Sequence, residues 1–258
     1  MSRLLARWPV SSWSTNMPQE EQAGKRLEEI FGGCKDSVEV RLENFPKYAR
    51  RKTVTRFITL YELFKKVVET KGSVVECGVF RGFGLMTWAH LSAVLEPANL
   101  TRRIYGFDSF EGFPSVSDRD LNENKNPATG ELRADSFDEL QDIISVYDQD
   151  RFLGHIDKVH LIKGDVTKTI PEFVRQQSHL VVSLLFLDLD LYEPTKIALQ
   201  AFLPRMPRGA ILAFDELDDP IWPGETLAAL ETVGLGQLKL QRFPWDPYIG
   251  YAVIGEHA

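Results

Sequence analysis

Residues 180–187, Leu-Val-Val-Ser-Leu-Leu-Phe-Leu, are apolar at every place but Ser183. A strand without a polar face must be covered on both sides, which is the condition of a central parallel strand between two layers of helix. The run is far too short to cross a bilayer. Around it, strand-like runs at 73–77, 103–108, 159–163 and 210–214 alternate with helix-period segments at 51–68, 85–95, 136–147 and 169–176, and Pro194 suits the first turn of a helix after residue 191. The tail, 238–243 and 248–254 joined through Pro244-Trp245-Asp246-Pro247, reads as a closing hairpin. The expected fold is α/β: a doubly wound, mostly parallel seven-stranded sheet with helices on both faces and one antiparallel strand from the C-terminal hairpin.

A chain of 258 residues, 43% hydrophobic, can bury a full core as one domain. We expect a domain over residues 51–258, carrying an insertion at 111–135, behind an N-terminal extension over residues 1–50. Residues 1–25 are polar and irregular, and either lie loosely ordered or pack over a neighbouring subunit, which leaves a homo-oligomer open. The net charge of −7 argues against a nucleic-acid partner. Arg50-Arg51-Lys52, the tight basic run, reads as a solvated helix face. Cys34 and Cys77 stand far apart, so neither a disulfide framework nor a zinc cluster is indicated. The N-terminus holds no continuous apolar stretch of signal-peptide type, so the expected location is cytoplasmic, with no membrane partner.

The strand ends carry the chemistry. Residues 73–88 run from an apolar strand through Gly78, Gly82 and Gly84 into a helix. Glycines there let a ligand press on the backbone, and a helix start offers free N–H groups, although a packing turn has the same pattern. The next strand ends at Asp108, where an acid can take the two hydroxyls of a ribose or can cap the turn with Ser109. Two more strands end in Asp188-Leu189-Asp190 and Asp215-Glu216. Asp188 and Asp190 share parity and would point the same way in extended geometry.

Four carboxylates gathered at strand ends repel one another unless protonated or joined by a hard cation, and oxygen-only ligands favour magnesium, manganese or calcium. Such a cation could bind vicinal hydroxyls and acidify one of them. The plainer reading makes these acids loop caps and surface ion pairs. The polar stretch 111–135 is long for a connection and reads as a cover over the site.

The segments Glu76-Cys77-Gly78-Val79-Phe80-Arg81-Gly82, Gly106-Phe107-Asp108-Ser109-Phe110-Glu111-Gly112-Phe113-Pro114, Leu187-Asp188-Leu189-Asp190-Leu191-Tyr192-Glu193-Pro194-Thr195 and Phe214-Asp215-Glu216 resemble the macrocin O-methyltransferase family. The resemblance covers roughly residues 50–255. It implies a Rossmann-like class I methyltransferase that uses S-adenosylmethionine and Mg2+ to methylate a sugar hydroxyl in natural-product biosynthesis. By position it implies that Glu76, Gly78 and Gly82, with Val79, Phe80 and Arg81 between them, line the methionine end of the cofactor. Asp108, Ser109 and Phe110 would hold the ribose, and Asp165 with Val166 would sit near the adenine. Asp188 would meet both cofactor and metal, and Asp188, Asp215 and Glu216 would hold the metal. Glu216 stands where the family pattern usually has a second aspartate, and Pro194 where serine is common.

The expected partner is therefore a small-molecule sugar or glycosylated natural product, with a deoxyhexose as acceptor. Asp188 or Asp190 is the expected base. His90 reads as a helix-core residue, and His155, His160 and His179 as residues of strand approaches. The rival reading is a metal-dependent glycosyltransferase using Asp188 and Asp190 on a nucleotide sugar, which would leave the glycine turn and Asp108 without a role.

Overall fold

The computed structural model describes residues 18–256. The expectation for residues 1–17 therefore lies outside the described residues. Packing divides the chain into two units, with the boundary between Arg56 and Phe57.

The first unit holds helices α1 (Pro18–Gly33) and α2 (Val38–Glu43). Residues 18–25, expected to be irregular, are helical. Glu20 and Glu21 complement the positive end of α1 in its first turn. Ser37 caps α2 by accepting from the N–H of Val40 at 3.3 Å. The basic run is not simply solvated: Arg51 and Lys52 pair with the Glu20 carboxylate at 3.0 and 3.4 Å, and Arg50 donates to the Glu20 carbonyl. Helix α3 (Arg51–Val67) crosses the boundary between the units.

The second unit is a seven-stranded sheet in the order β3-β2-β1-β4-β5-β7-β6. Its elements are β1 (Ser73–Cys77), α4 (Phe83–Leu95), β2 (Ile104–Asp108), α5 (Phe137–Asp150), β3 (Val159–Lys163), α6 (Val166–Gln176), β4 (Val182–Leu187), α7 (Tyr192–Phe202), β5 (Ile211–Phe214), α8 (Gly224–Thr232), β6 (Gln241–Arg242) and β7 (Gly250–Val253). Strands β1 to β5 are parallel, and β7 runs antiparallel to both of its neighbours. This is the expected doubly wound fold. The hairpin strands are shorter than the apolar pattern suggested, because only 241–242 and 250–253 keep ladder pairing beside the turn at 244–247.

Alternation along β4 explains why its sequence has no polar face. Leu184 and Phe186 join one core with Leu60, Leu63 and Phe64 of α3 and Trp88 of α4. Leu185 and Leu187 join the other with Ile170 of α6, Leu199 and Phe202 of α7 and Ala228 of α8. Each buried leucine, isoleucine or phenylalanine side chain contributes about 1.5–3 kcal/mol. The strand order reverses between β1 and β4, so their C-terminal ends open a crevice at the switch point. Among the described residues no helix is long and apolar enough to cross a membrane.

Candidate active site

The crevice is a cleft of about 320 Å³. Its first wall is the turn after β1. Gly78 sits at φ +92°, and a Cβ there would lie 1.7 Å from the carbonyl oxygen of Asp188. Only glycine lets the β1 turn and the end of β4 touch, which brings both to the same cleft.

Asp108, at the end of β2, holds that turn. One carboxylate oxygen accepts from the N–H groups of Val79 and Phe80, both at 2.8 Å, and the other from Phe110 at 2.6 Å. Phe80 and Phe110 have φ of 51° and 57°, a left-handed backbone that these bonds help to maintain. The capping reading of Asp108 is thus realised, and the carboxylate still lines the cleft. Ser109 donates to the Gly112 carbonyl at 2.6 Å. After β3, Asp165 caps α6 through the N–H and hydroxyl of Thr167 at 3.0 and 2.7 Å and pairs with Lys168.

The adjacent ends of β4 and β5 bring Asp188, Asp215 and Glu216 together, with one oxygen of each within 4.8 Å of the others. Asp190 lies beside them. The extended geometry does not continue to it, because Asp190 takes φ +60°, yet both Asp188 and Asp190 face the cleft. Burial, and then the charge of Asp215, pushes the Asp190 carboxyl up to about 7. Burial, followed by Asp215 and Asp188, holds Glu216 well above the usual carboxylate range. Glu216 Oε2 is buried without a hydrogen-bond partner. Three converging carboxylates with such an orphan oxygen fit a hard divalent cation.

The remaining wall is apolar and comes largely from residues that pattern reading did not select: Phe113, Leu132, Leu191 and Trp222. Phe113 and Trp222 meet edge to face at 5.8 Å, and Lys125 lies over the Trp222 ring at 4.4 Å. The insertion at 111–135 is tied down beside the cleft. Asn122 and Asn124 donate to the carbonyls of Ile221 and Pro220 at 3.2 and 3.1 Å, and Asp120 accepts from the N–H of Tyr192. Trp222 follows the acid pair by six residues, and its aromatic side chain in a Pro/Gly-rich loop was the available signal.

Of the residues singled out in the sequence, Gly78, Phe80, Asp108, Ser109, Asp165, Val166, Asp188, Asp190 and Glu216 line the cleft. Glu76, Val79, Arg81, Gly82, Phe110 and Asp215 are not part of its lining. Glu76 is buried with its carboxylate against Gly84 of α4, where a Cβ would come within 2.2 Å of it. Asp215 sits behind the surface of the cleft as a member of the triad. None of the histidines discussed above lines it. His90 is exposed on α4, edge-on to Tyr147 at 5.4 Å, and not in the core; His160 stacks on Tyr105.

Residues 43–224 match the family described as Macrocin-O-methyltransferase (TylF). The crystal structure of CalS11, a calicheamicin methyltransferase, is 33% identical, with 99% of this chain and 100% of that chain covered at a TM-score of 0.91. An apo structure of CalS11, there described as a TDP-rhamnose 3'-O-methyltransferase of calicheamicin biosynthesis, is 32% identical over 96% of this chain and 100% of that one, at a TM-score of 0.84. The O-methyltransferase NovP shares the fold at 20% identity, covering 78% of this chain and 79% of that one, with a TM-score of 0.61. None of the curated proteins matches the chain.

Proposed function

The chain belongs to the macrocin O-methyltransferase family, and on that footing we propose that it moves a methyl group from S-adenosylmethionine to a hydroxyl of a deoxyhexose, with a divalent cation held by Asp188, Asp215 and Glu216. The observation that carries this reading is the acid triad, gathered at the ends of β4 and β5 beside the cleft that Gly78, Asp108 and Asp165 also line. The description of CalS11 as a TDP-rhamnose methyltransferase supports a nucleotide-linked deoxyhexose as the first acceptor to try.

The cofactor would supply a sulfonium methyl that is already activated. The cation, a hard one such as magnesium or manganese by its all-oxygen donor set, would lower the pKa of a bound hydroxyl. Everything else falls to the chain. Gly78 would meet the methionine end, Asp108 and Ser109 the ribose, and Asp165 and Val166 the adenine, all of them on the lining of the cleft. The apolar walls from Phe113, Leu132 and Trp222 would exclude water and orient the acceptor hydroxyl toward the methyl donor. Transfer would form the O–C bond as the C–S bond breaks and would leave S-adenosylhomocysteine as the other product, and Asp190, the cleft acid outside the triad, would take the hydroxyl proton.

Calorimetric titration of S-adenosylhomocysteine, with magnesium and then with excess chelator, tests the cofactor half. Micromolar binding in both conditions is expected, since the triad serves the acceptor. Folded protein that binds in neither would refute it. Asp215→Asn should keep that binding and lose turnover.

A further inference from the structure

Glu225 is fully buried in the first turn of α8, yet it does not line the cleft. Its two oxygens go in two directions. Oε1 accepts from the backbone N–H of Leu189 at 2.9 Å, and Oε2 from the backbone N–H of Glu216 at 3.2 Å. Leu189 directly follows Asp188, and Glu216 is itself a member of the triad. One carboxylate therefore spans the loop after β4 and the loop after β5, between which the three acids are divided.

The sequence around it is shaped for that reach. Gly224 lies on the backbone of residues 190–192: a Cβ there would meet the Asp190 carbonyl oxygen and the Tyr192 nitrogen at 2.5 Å each. Any other residue would lift the start of α8 and draw Glu225 out of the gap. A fully buried acid beside the three acids of the triad is electrostatically costly, so a neutral side chain would be the easier filler. What a carboxylate offers there is two acceptor oxygens in a rigid fork, matched to two N–H groups on different loops.

Resting on the cation reading above, we propose that Glu225 is a positioning residue, which fixes the spacing of Asp188 against Glu216 so that the triad is set before a cation arrives. Outer partners of metal ligands commonly carry about ten- to a hundredfold of metal affinity. Glu225 would act in this way through the backbone.

The test uses Mn2+ as a paramagnetic probe, titrated by electron paramagnetic resonance into wild type, Glu225→Asp and Glu225→Gln. Glu225→Asp keeps the charge but is one methylene too short to reach both loops. Glu225→Gln keeps the reach but offers a single acceptor oxygen. Both should weaken Mn2+ about tenfold or more while S-adenosylhomocysteine affinity stays within about threefold. If Glu225→Asp binds Mn2+ as wild type does, the charge alone matters and the inference is overturned. Should that variant not fold, wild-type Mn2+ affinity in Glu225→Gln would overturn it equally. No Mn2+ binding by the wild type would remove the cation site itself, and this inference with it.

Discussion

Asp120, in the middle of the long insertion, accepts a hydrogen bond from the backbone N–H of Tyr192 at 2.6 Å, across 72 residues of sequence. Tyr192 is the first residue of α7, so a side chain from the insertion satisfies one of that helix's free N–H groups. The other Asp120 oxygen takes the N–H and hydroxyl of Ser117, at 3.0 and 2.6 Å. The insertion is thus fastened two residues from Asp190.

Asp120→Ala should release that fastening. A lost cap of this kind costs about 0.5–2 kcal/mol. We expect the acceptor KM to rise about tenfold, with S-adenosylhomocysteine affinity unchanged, because the cofactor's expected contacts lie on the strand ends. Equal KM values for variant and wild type would show that the insertion does not shape the acceptor site.

Asp190→Asn removes the proposed proton acceptor and leaves the triad intact. Turnover should fall by about 10²–10⁴, while Mn2+ and S-adenosylhomocysteine still bind. Near wild-type kcat would assign the proton to another group.

The crowded acids also predict how stability depends on pH. Asp190, pushed to about 7, and Glu216 and Glu225, held well above the carboxylate range by burial first, all bind protons more tightly folded than unfolded. Their contribution to stability is therefore fully present below about pH 4 and is lost as pH rises, for Asp190 through about 7. A bound cation replaces those protons. The gain in Tm on adding magnesium to chelated protein should be small at pH 5.5 and grow toward pH 8. Burial lowers the pKa of His160, which gives the opposite slope below about 6.5, but His160 is not part of the site and cancels in that difference. A magnesium gain that shrinks with pH would contradict the account.

Far from the site, Arg102 locks the N-terminal ends of the central strands. It is buried, pairs with Glu96 at 2.7 Å, and donates to the carbonyls of Val67, Val68, Thr70 and Gly72 and to the hydroxyl of Ser183. It joins the end of α3 to the start of β4. Arg102→Ala leaves the Glu96 carboxylate, 8% exposed, without its cationic partner and should cost about 3–5 kcal/mol in urea unfolding. Cofactor affinity of the folded fraction should not move. A loss under about 1 kcal/mol would mean that water replaces the guanidinium.

The sheet and its acids were legible because each signal is local. An apolar run ends, and an acid follows at the strand's C-terminal edge, as at Leu187-Asp188 and Phe214-Asp215. Asp108 was legible only as two alternatives, and the structure shows that its capping role is real without removing it from the cleft. Glu225, Asp120 and Arg102 escaped notice for a shared reason. Each acts on backbone groups distant in sequence, and each looks ordinary where it stands: a helix-start glutamate, a loop aspartate, an arginine before a strand. The backbone of Asp190 was not legible, since strand parity cannot show that a residue is left-handed, although both Asp188 and Asp190 line the cleft. Residues 18–25 were read as irregular because their apolar positions are few, yet Glu20 and Glu21 stand in the first turn of α1.

The central claim is cation-assisted methyl transfer to a sugar, and it is tested most directly by turnover of S-adenosylmethionine with a TDP-deoxyhexose such as TDP-rhamnose, before and after chelation. The account predicts O-methylated sugar nucleotide with magnesium, a loss of about a hundredfold or more with excess chelator, and recovery when magnesium is restored. Methylation that proceeds at full rate in chelator would contradict it and leave the triad of Asp188, Asp215 and Glu216 without the role assigned to it.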